Sequence, residues 1–225
     1  VTPAHHYPTG VVLAPERRRR LLEWVRAAPE RFVIEDDYDA EYRYDSSPVG
    51  SLQPFDSERV ISGSSVSKTL APGLRLGWLV LPPALVESAV RLKAAFDLGT
   101  QVLSQAVFAE FLRSGGFDRH LRTSRTRYRR QRARLAARLA ASAPGLHVTG
   151  LDAGLSLCIR AELADDQAAA DELKMAGVAC EALSYYQQRP DPQRGMVLDI
   201  NASSERELDL VIAAIKDARG SPPAA

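Results

Sequence analysis

The sequence predicts an α/β protein in two parts, a partial larger domain with a mostly parallel sheet and a smaller C-terminal α+β domain. Three observations carry this. Short apolar segments alternate with helical patterns through the first half. A long amphipathic helix follows. After Pro144-Gly145 the pattern changes to closely spaced strands with two helices. The expected division is residues 1–117 for the larger domain, 118–142 for a linking helix, 143–219 for the smaller domain and 220–225 for a frayed tail.

Taken in order, Pro15 opens a helical stretch to Ala28, with Leu21, Leu22 and Val25 as its apolar stripe and Pro29 past its end. Phe32-Val33-Ile34 reads as a short buried strand. Residues 38–56 are aromatic and charged, include Ser46-Ser47-Pro48 and Gly50, and read as loop. Arg59-Val60-Ile61 is a second strand, and Gly77 to Leu81 a third, stopped by Pro82-Pro83. Helices are expected over Pro83 to Phe96, Gln101 to Arg113 and Asp118 to about Ala141. In the last part, Leu146 to Val148, Gly154 to Ile159, Val178 to Glu181 and Met196 to Ile200 read as strands, and Asp166 to Ala176 as a helix. Ser204 and Glu207 have capping-box spacing for a last helix to about Ala218.

Composition removes several function classes. The chain has 225 residues, 45% of them hydrophobic and 25% charged, so it can bury a core. Net charge is +1, which excludes a generally basic protein that coats nucleic acid. Two cysteines, Cys158 and Cys180, make neither a disulfide scaffold nor a four-cysteine zinc site. Cys158 falls in a strand and reads as core. No apolar run reaches the roughly 18 residues of a membrane span, and no signal peptide is seen, so the expectation is a soluble cytoplasmic protein. The Arg-rich stretch from Arg119 to Arg138 invites a nucleic-acid reading. The alternative is a solvated face, with Leu121, Tyr128, Leu135 and Leu139 turned inward, and the near-zero net charge favours it.

Of 29 basic residues, 25 are Arg and only 4 are Lys: Lys68, Lys93, Lys174 and Lys216. A reaction that needs an amine has few places to happen, because guanidinium stays protonated. Lys68 sits in Ser64-Ser65-Val66-Ser67-Lys68, followed by Arg75-Leu76-Gly77. Hydroxyls and a guanidinium suit a phosphate ester, and a lysine among them suits an imine with an aldehyde cofactor. Ser-x-Ser-Lys alone is a weak motif, and a plain loop lysine is the alternative. Glu35-Asp36-Asp37-Tyr38-Asp39 follows the first strand, at the strand end where open parallel sheets bind ligands. One carboxylate there can hold a pyridine nitrogen protonated, and a tyrosine two residues on can donate to a ring oxygen. A metal cluster or a helix cap are the competing readings; no ligand-spaced histidine supports a metal.

The order of Tyr7-Pro8-Thr9-Gly10, Asp36-Asp37-Tyr38, Ser65-Val66-Ser67-Lys68 and Arg75-Leu76-Gly77 resembles the fold-type-I pyridoxal-phosphate (PLP) aminotransferases. Residues 2–10, 34–45 and 74–78 are worded most like the aminotransferase-like domain of MocR-type regulators of the GntR superfamily, which carry a winged helix-turn-helix in front. The resemblance covers most of the chain. It implies the cofactor pyridoxal 5′-phosphate, held through an imine to Lys68, which later shuttles a proton. It further implies that Asp36 pairs with the pyridinium nitrogen, that Tyr38 bonds the ring's phenolic oxygen, and that Ser65, Ser67 and Arg75 bind the phosphate. A homodimer is implied too, and DNA contact only through a domain outside this chain.

Two positions depart from the aminotransferase pattern. Tyr7 stands where those enzymes have an asparagine that touches the ring oxygen and the substrate carboxylate. Val197 stands where they have a carboxylate-binding arginine; Arg194, three residues earlier, and His5 are the candidate substrate contacts. Tyr185-Tyr186 is a further candidate to face a ligand. The chain starts at Val1 and is expected to be a fragment, with the family's glycine-rich phosphate loop and ring-stacking aromatic upstream. The expectation is a PLP-binding effector sensor that forms a Schiff base with a small amino compound. A free-standing aminotransferase acting on amino acids and a cofactor-free structural remnant are the alternatives.

Overall fold

The structure is a computed structural model, and it describes residues 1–44, 49–142, 146–161, 163–189, 193–200 and 204–220. Ser46-Ser47-Pro48, Pro144-Gly145 and the tail 221–225, noted in the sequence, lie outside the described residues. Contacts divide the chain into two units. The first comprises Val1–His6, Val12–Glu41 and Ser46–Thr123; the second comprises Tyr7–Val11, Tyr42–Asp45 and Ser124–Ala225.

In the first unit, α1 (Pro15–Arg26) has proline in its first turn and buries Leu22 and Val25, three residues apart on one face. β1 (Val33–Asp36) alternates: Val33 and Glu35 are buried, Ile34 and Asp36 exposed. The buried Glu35 carboxylate is satisfied by the Ser51 hydroxyl and by the N–H groups of Leu52 (2.9 Å) and Gln53 (3.3 Å). It thereby ties the 310 turn Gln53–Phe55 under the sheet. β2 (Val60–Ser65) runs parallel to β1, with Val33 beside Val60 and Asp36 beside Gly63. Leu22, Val25, Val33, Leu52 and Val60 form the core.

β3 (Gly77–Val80) departs from the parallel expectation. It pairs antiparallel with β2, Ser65 beside Gly77 and Ser62 beside Val80. The reason is the short 66–76 connection, since a parallel return needs about a dozen or more residues, usually including a helix. Trp78, Leu79 and Val80 are exposed, and neither α2 (Pro83–Asp97) nor α3 (Val102–Arg113) buries a single residue. Phe96 and Leu98 are 86% and 92% exposed.

α4 (Gly116–Ser142) begins in the first unit and continues in the second. Leu121, Tyr128, Leu135 and Leu139 are its large buried apolar residues as the periodicity requires, Ser124 is buried beside them, and most of its arginines lie outside this stripe, with Arg132 the exception described below. The second unit contains an antiparallel sheet in the order β4-β5-β7-β6, from β4 (His147–Thr149), β5 (Ser156–Ala161), β6 (Cys180–Ala182) and β7 (Arg194–Asp199). α5 (Asp166–Met175) and α6 (Glu205–Gly220) accompany it, and Leu139, Leu157, Ile159, Leu173, Met196, Leu198, Leu208 and Ile215 lie in its core. Both helices are capped by side chains. Asp165 accepts from the N–H groups of Gln167 and Ala168. Ser204 and Glu207 bond each other's backbone N–H reciprocally, at 3.2 and 2.7 Å.

Candidate functional site

Because β1 and β2 are parallel, their C-terminal ends lie at the same end of the sheet, and the antiparallel β3 starts there. Asp36 closes β1 and Ser65 closes β2; Ser67 and Lys68 occupy the turn that follows, and Arg75 stands two residues ahead of β3. The folding of the chain thus gathers five of the predicted residues around the sheet edge where such sheets bind ligands. The backbone there is held from both sides: the Asp36 N–H donates to the Val1 carbonyl and the Asp37 N–H to that of Gly63, each at 2.9 Å. In the turn, Val66 N–H donates to Leu76 O (3.1 Å) and Leu70 N–H to Val66 O (2.8 Å). Arg75 has φ 50°, a left-handed conformation that costs a residue with a Cβ about 1–2 kcal/mol.

The side chains of Asp36, Lys68 and Arg75 are exposed, and among the described residues none makes a hydrogen bond or ion pair. Lys93 and Lys174 differ: Lys93 pairs with Asp97, and Lys174 with Glu181 at 3.0 Å. An amine, a carboxylate and a guanidinium are therefore left available at one sheet end.

Tyr38 and His5 join the same end. The Tyr38 hydroxyl lies 3.2 Å from His5 Nδ1 and donates to the His5 carbonyl at 3.3 Å. His5 Nδ1 also lies 2.9 Å from the buried Asp39 carboxylate. Asp37 stands apart chemically. Burial pushes its carboxyl up to about 6, and the neighbouring Glu41, Glu35 and Asp39 charges add to the rise. The folded protein takes up this proton at about pH 6, before an ordinary carboxyl would near 3.8. Its charge opposes folding above about pH 6, and that opposition is relieved as pH falls toward 4. Asp37→Asn is expected to stabilise the protein by about 1–2 kcal/mol at pH 7 and to flatten the pH dependence between 6 and 4, read from urea midpoints at several pH values.

The remaining predicted residues belong to the second unit. The Tyr7 hydroxyl lies 3.0 Å from that of Tyr186, with the rings edge to face. Burial and this bond raise the Tyr7 phenol above its ordinary value. Tyr186 ends a 310 turn, Leu183–Tyr186. Arg194 opens β7 opposite Ala161, and Val197 is buried against Cys158 and Leu183. The Pro-Thr-Gly turn needs its glycine: Gly10 has φ +69°, and a Cβ there would come within 2.4 Å of the Gly150 Cα.

Two residues were missed from sequence. Asp39 was visible only as one member of an acidic run. Arg132 was hidden among the other arginines of its helix, yet it is 2% exposed and donates to the carbonyls of Leu151, Gly154 and Ser156. Among the described residues no His, Cys, Asp and Glu cluster could hold a metal ion, and no helix is long and apolar enough to cross a membrane.

The donor set fits a phosphorylated pyridine aldehyde: a lysine amine without a partner among the described residues, a carboxylate for a ring nitrogen, a phenol for a ring oxygen, and hydroxyls with a guanidinium for the phosphate.

Comparison with known proteins agrees. The chain is 32% identical over 222 residues to the HTH-type transcriptional regulator YdeL of Bacillus subtilis, covering 97% of this chain and 48% of that protein. It is 35% identical over 201 residues to the probable rhizopine catabolism regulatory protein MocR of Rhizobium meliloti, covering 88% and 41%. The chain spans about half the length of the curated relatives it matches. Among solved structures, the Pyrococcus horikoshii kynurenine aminotransferase superposes with a TM-score of 0.83 at 25% identity, over 96% of this chain and 55% of that one. An archaeal alanine:glyoxylate aminotransferase, at a TM-score of 0.85 and 23% identity over 96% and 55%, shares the fold. The profile of the aminotransferase class I and II family, whose cofactor is pyridoxal 5′-phosphate, matches residues 1–215, and the chain belongs to that family.

Proposed function

We propose that this chain is the PLP-binding, effector-sensing domain of a MocR/GntR-type transcription regulator. The observation that carries the reading is the gathering of Asp36, Lys68 and Arg75 at one sheet end, each without a protein partner among the described residues. When bound, the cofactor supplies an aldehyde for an amine and a ring that withdraws electrons. Lys68 offers that amine, and its Nζ holds and moves the proton during exchange. The Asp36 carboxylate keeps the ring nitrogen protonated by its negative charge. Ser65, Ser67 and Arg75 hold the phosphate, with the planar guanidinium suited to two oxygens.

The signal is a small amino compound or amino acid, and DNA contact belongs to another domain, as the HTH-type names of the relatives suggest. Val197 in place of a carboxylate-binding arginine favours sensing over ordinary transamination, with Arg194 and His5 as candidate contacts to the amino compound and Tyr7 as a candidate contact to the cofactor. A cytoplasmic homodimer is part of the reading, supported by the apolar residues that α2 and α3 leave exposed.

A free-standing aminotransferase is the second reading, favoured by the presence of Lys68, Asp36, Tyr38 and Arg75 together. The PLP-loaded protein titrated with a panel of amino acids separates them. Sensing gives a saturable change in the visible spectrum without release of keto acid. Stoichiometric keto acid with pyridoxamine phosphate establishes the enzyme, and no spectral change with any amino compound contradicts both.

A further inference from the structure

We propose that His5 and Asp39 form a positioning pair that fixes the Tyr38 hydroxyl, so that His5 acts on the cofactor through Tyr38. This rests on the reading of Tyr38 as the partner of the cofactor's ring oxygen. His5 and Asp39 are both buried, with side-chain exposures of 0% and 3%. Burying these two polar groups is costly unless each is satisfied by the other. Asp39 lies 34 residues from His5 in the chain, and its Oδ2 sits 2.9 Å from His5 Nδ1.

A carboxylate only accepts, so the imidazole hydrogen is on Nδ1. Nε2 has no hydrogen-bond partner among the described residues and is buried, which agrees with that tautomer, because a buried N–H without an acceptor would cost more than a lone pair. Nδ1 also lies 3.2 Å from the Tyr38 oxygen, so its one hydrogen is shared between Asp39 and Tyr38, and the Tyr38 hydroxyl donates to the His5 carbonyl at 3.3 Å. Tyr38 is thus held at both its oxygen and its hydrogen by one residue. The long 3.3 Å bond is the one to be exchanged for a ring oxygen, while the imidazole N–H keeps the phenol oxygen in place. Asp39 orients the ring, as carboxylates orient histidines elsewhere.

A phenol donating to the ring oxygen draws charge from it, so the neighbouring lysine-linked nitrogen holds its proton less tightly. The readout is the pH midpoint of the visible absorbance of the PLP-loaded protein. Tyr38→Phe is expected to raise this midpoint by about one pH unit. His5→Leu is expected to raise it in the same direction by a smaller amount, and to add nothing in a Tyr38→Phe background. His5→Asn, which keeps a donor, restores part of the shift. If His5→Leu does not fold, Asp39→Asn is read in the same two backgrounds.

A His5 effect equal in both backgrounds, or no effect while Tyr38→Phe shifts the midpoint, overturns the proposal and leaves the role of Tyr38 standing. An unshifted midpoint in Tyr38→Phe overturns both.

Discussion

Replacing Arg132 by methionine is expected to lower stability by about 3–5 kcal/mol. The guanidinium is buried in the second unit, where Nε donates to Leu151 O at 3.1 Å, one terminal nitrogen to Gly154 O at 2.6 Å and the other to Ser156 O at 3.3 Å. Its carbon also lies 4.9 Å above the Tyr44 ring. The three carbonyls belong to the segment that leads into β5. They are backbone groups, so no compensating substitution can remove them. Methionine fills most of the volume and leaves the Leu151 and Ser156 carbonyls without this donor, while the Gly154 carbonyl keeps the Tyr44 hydroxyl at 3.0 Å; each carbonyl left unsatisfied costs about 1–3 kcal/mol before relaxation and entering water reduce it. Arg132→Lys is expected to recover only part, because an ammonium cannot span three acceptors. Urea unfolding followed by circular dichroism checks this; a midpoint unchanged in Arg132→Met contradicts it.

Changing Lys68 has a larger functional effect and a much smaller structural one. Lys68→Ala is expected to abolish the imine band of the PLP-loaded protein, leaving at most the shorter-wavelength absorbance of the free aldehyde. Stability should stay within about 0.5 kcal/mol, because the side chain is exposed and engages no partner among the described residues. Lys68→Arg should fail equally, since a guanidinium keeps its charge and the linkage needs a free amine. Unchanged urea midpoints alongside lost absorbance would show that the loss is chemical. A retained imine band in Lys68→Ala would mean that another amine is used.

Much of this was legible before the fold was known, for physical reasons. The placement of Asp36, Lys68 and Arg75 around one sheet end was legible because each lies in or beside a short motif at a strand end: Asp36 closes β1, Lys68 follows β2 and Arg75 precedes β3. The inward face of α4 was legible because Leu121, Tyr128, Leu135 and Leu139 recur at helical spacing. What stayed hidden depends on contacts between distant segments. The His5–Asp39 pair joins residues far apart in the chain, and nothing local in either one marks it. Arg132 looks like its neighbours until the carbonyls it meets are placed. The direction of β3 was misread because its apolar pattern is the same in parallel and antiparallel pairing; the length of the connection decided it. The apolar residues of α2 and α3 show helical periodicity, yet none of them is fully buried, and Val86, Val90, Leu92, Phe96, Val102 and Leu103 lie exposed.

Reduction of the PLP-loaded protein with borohydride, followed by peptide mapping, tests the central claim most directly. The reduced linkage is permanent and marks whichever amine carried the cofactor. The expected result is one label, on the peptide containing Lys68. A label on Lys93, Lys174 or Lys216 instead, or on no lysine at all, would contradict the account.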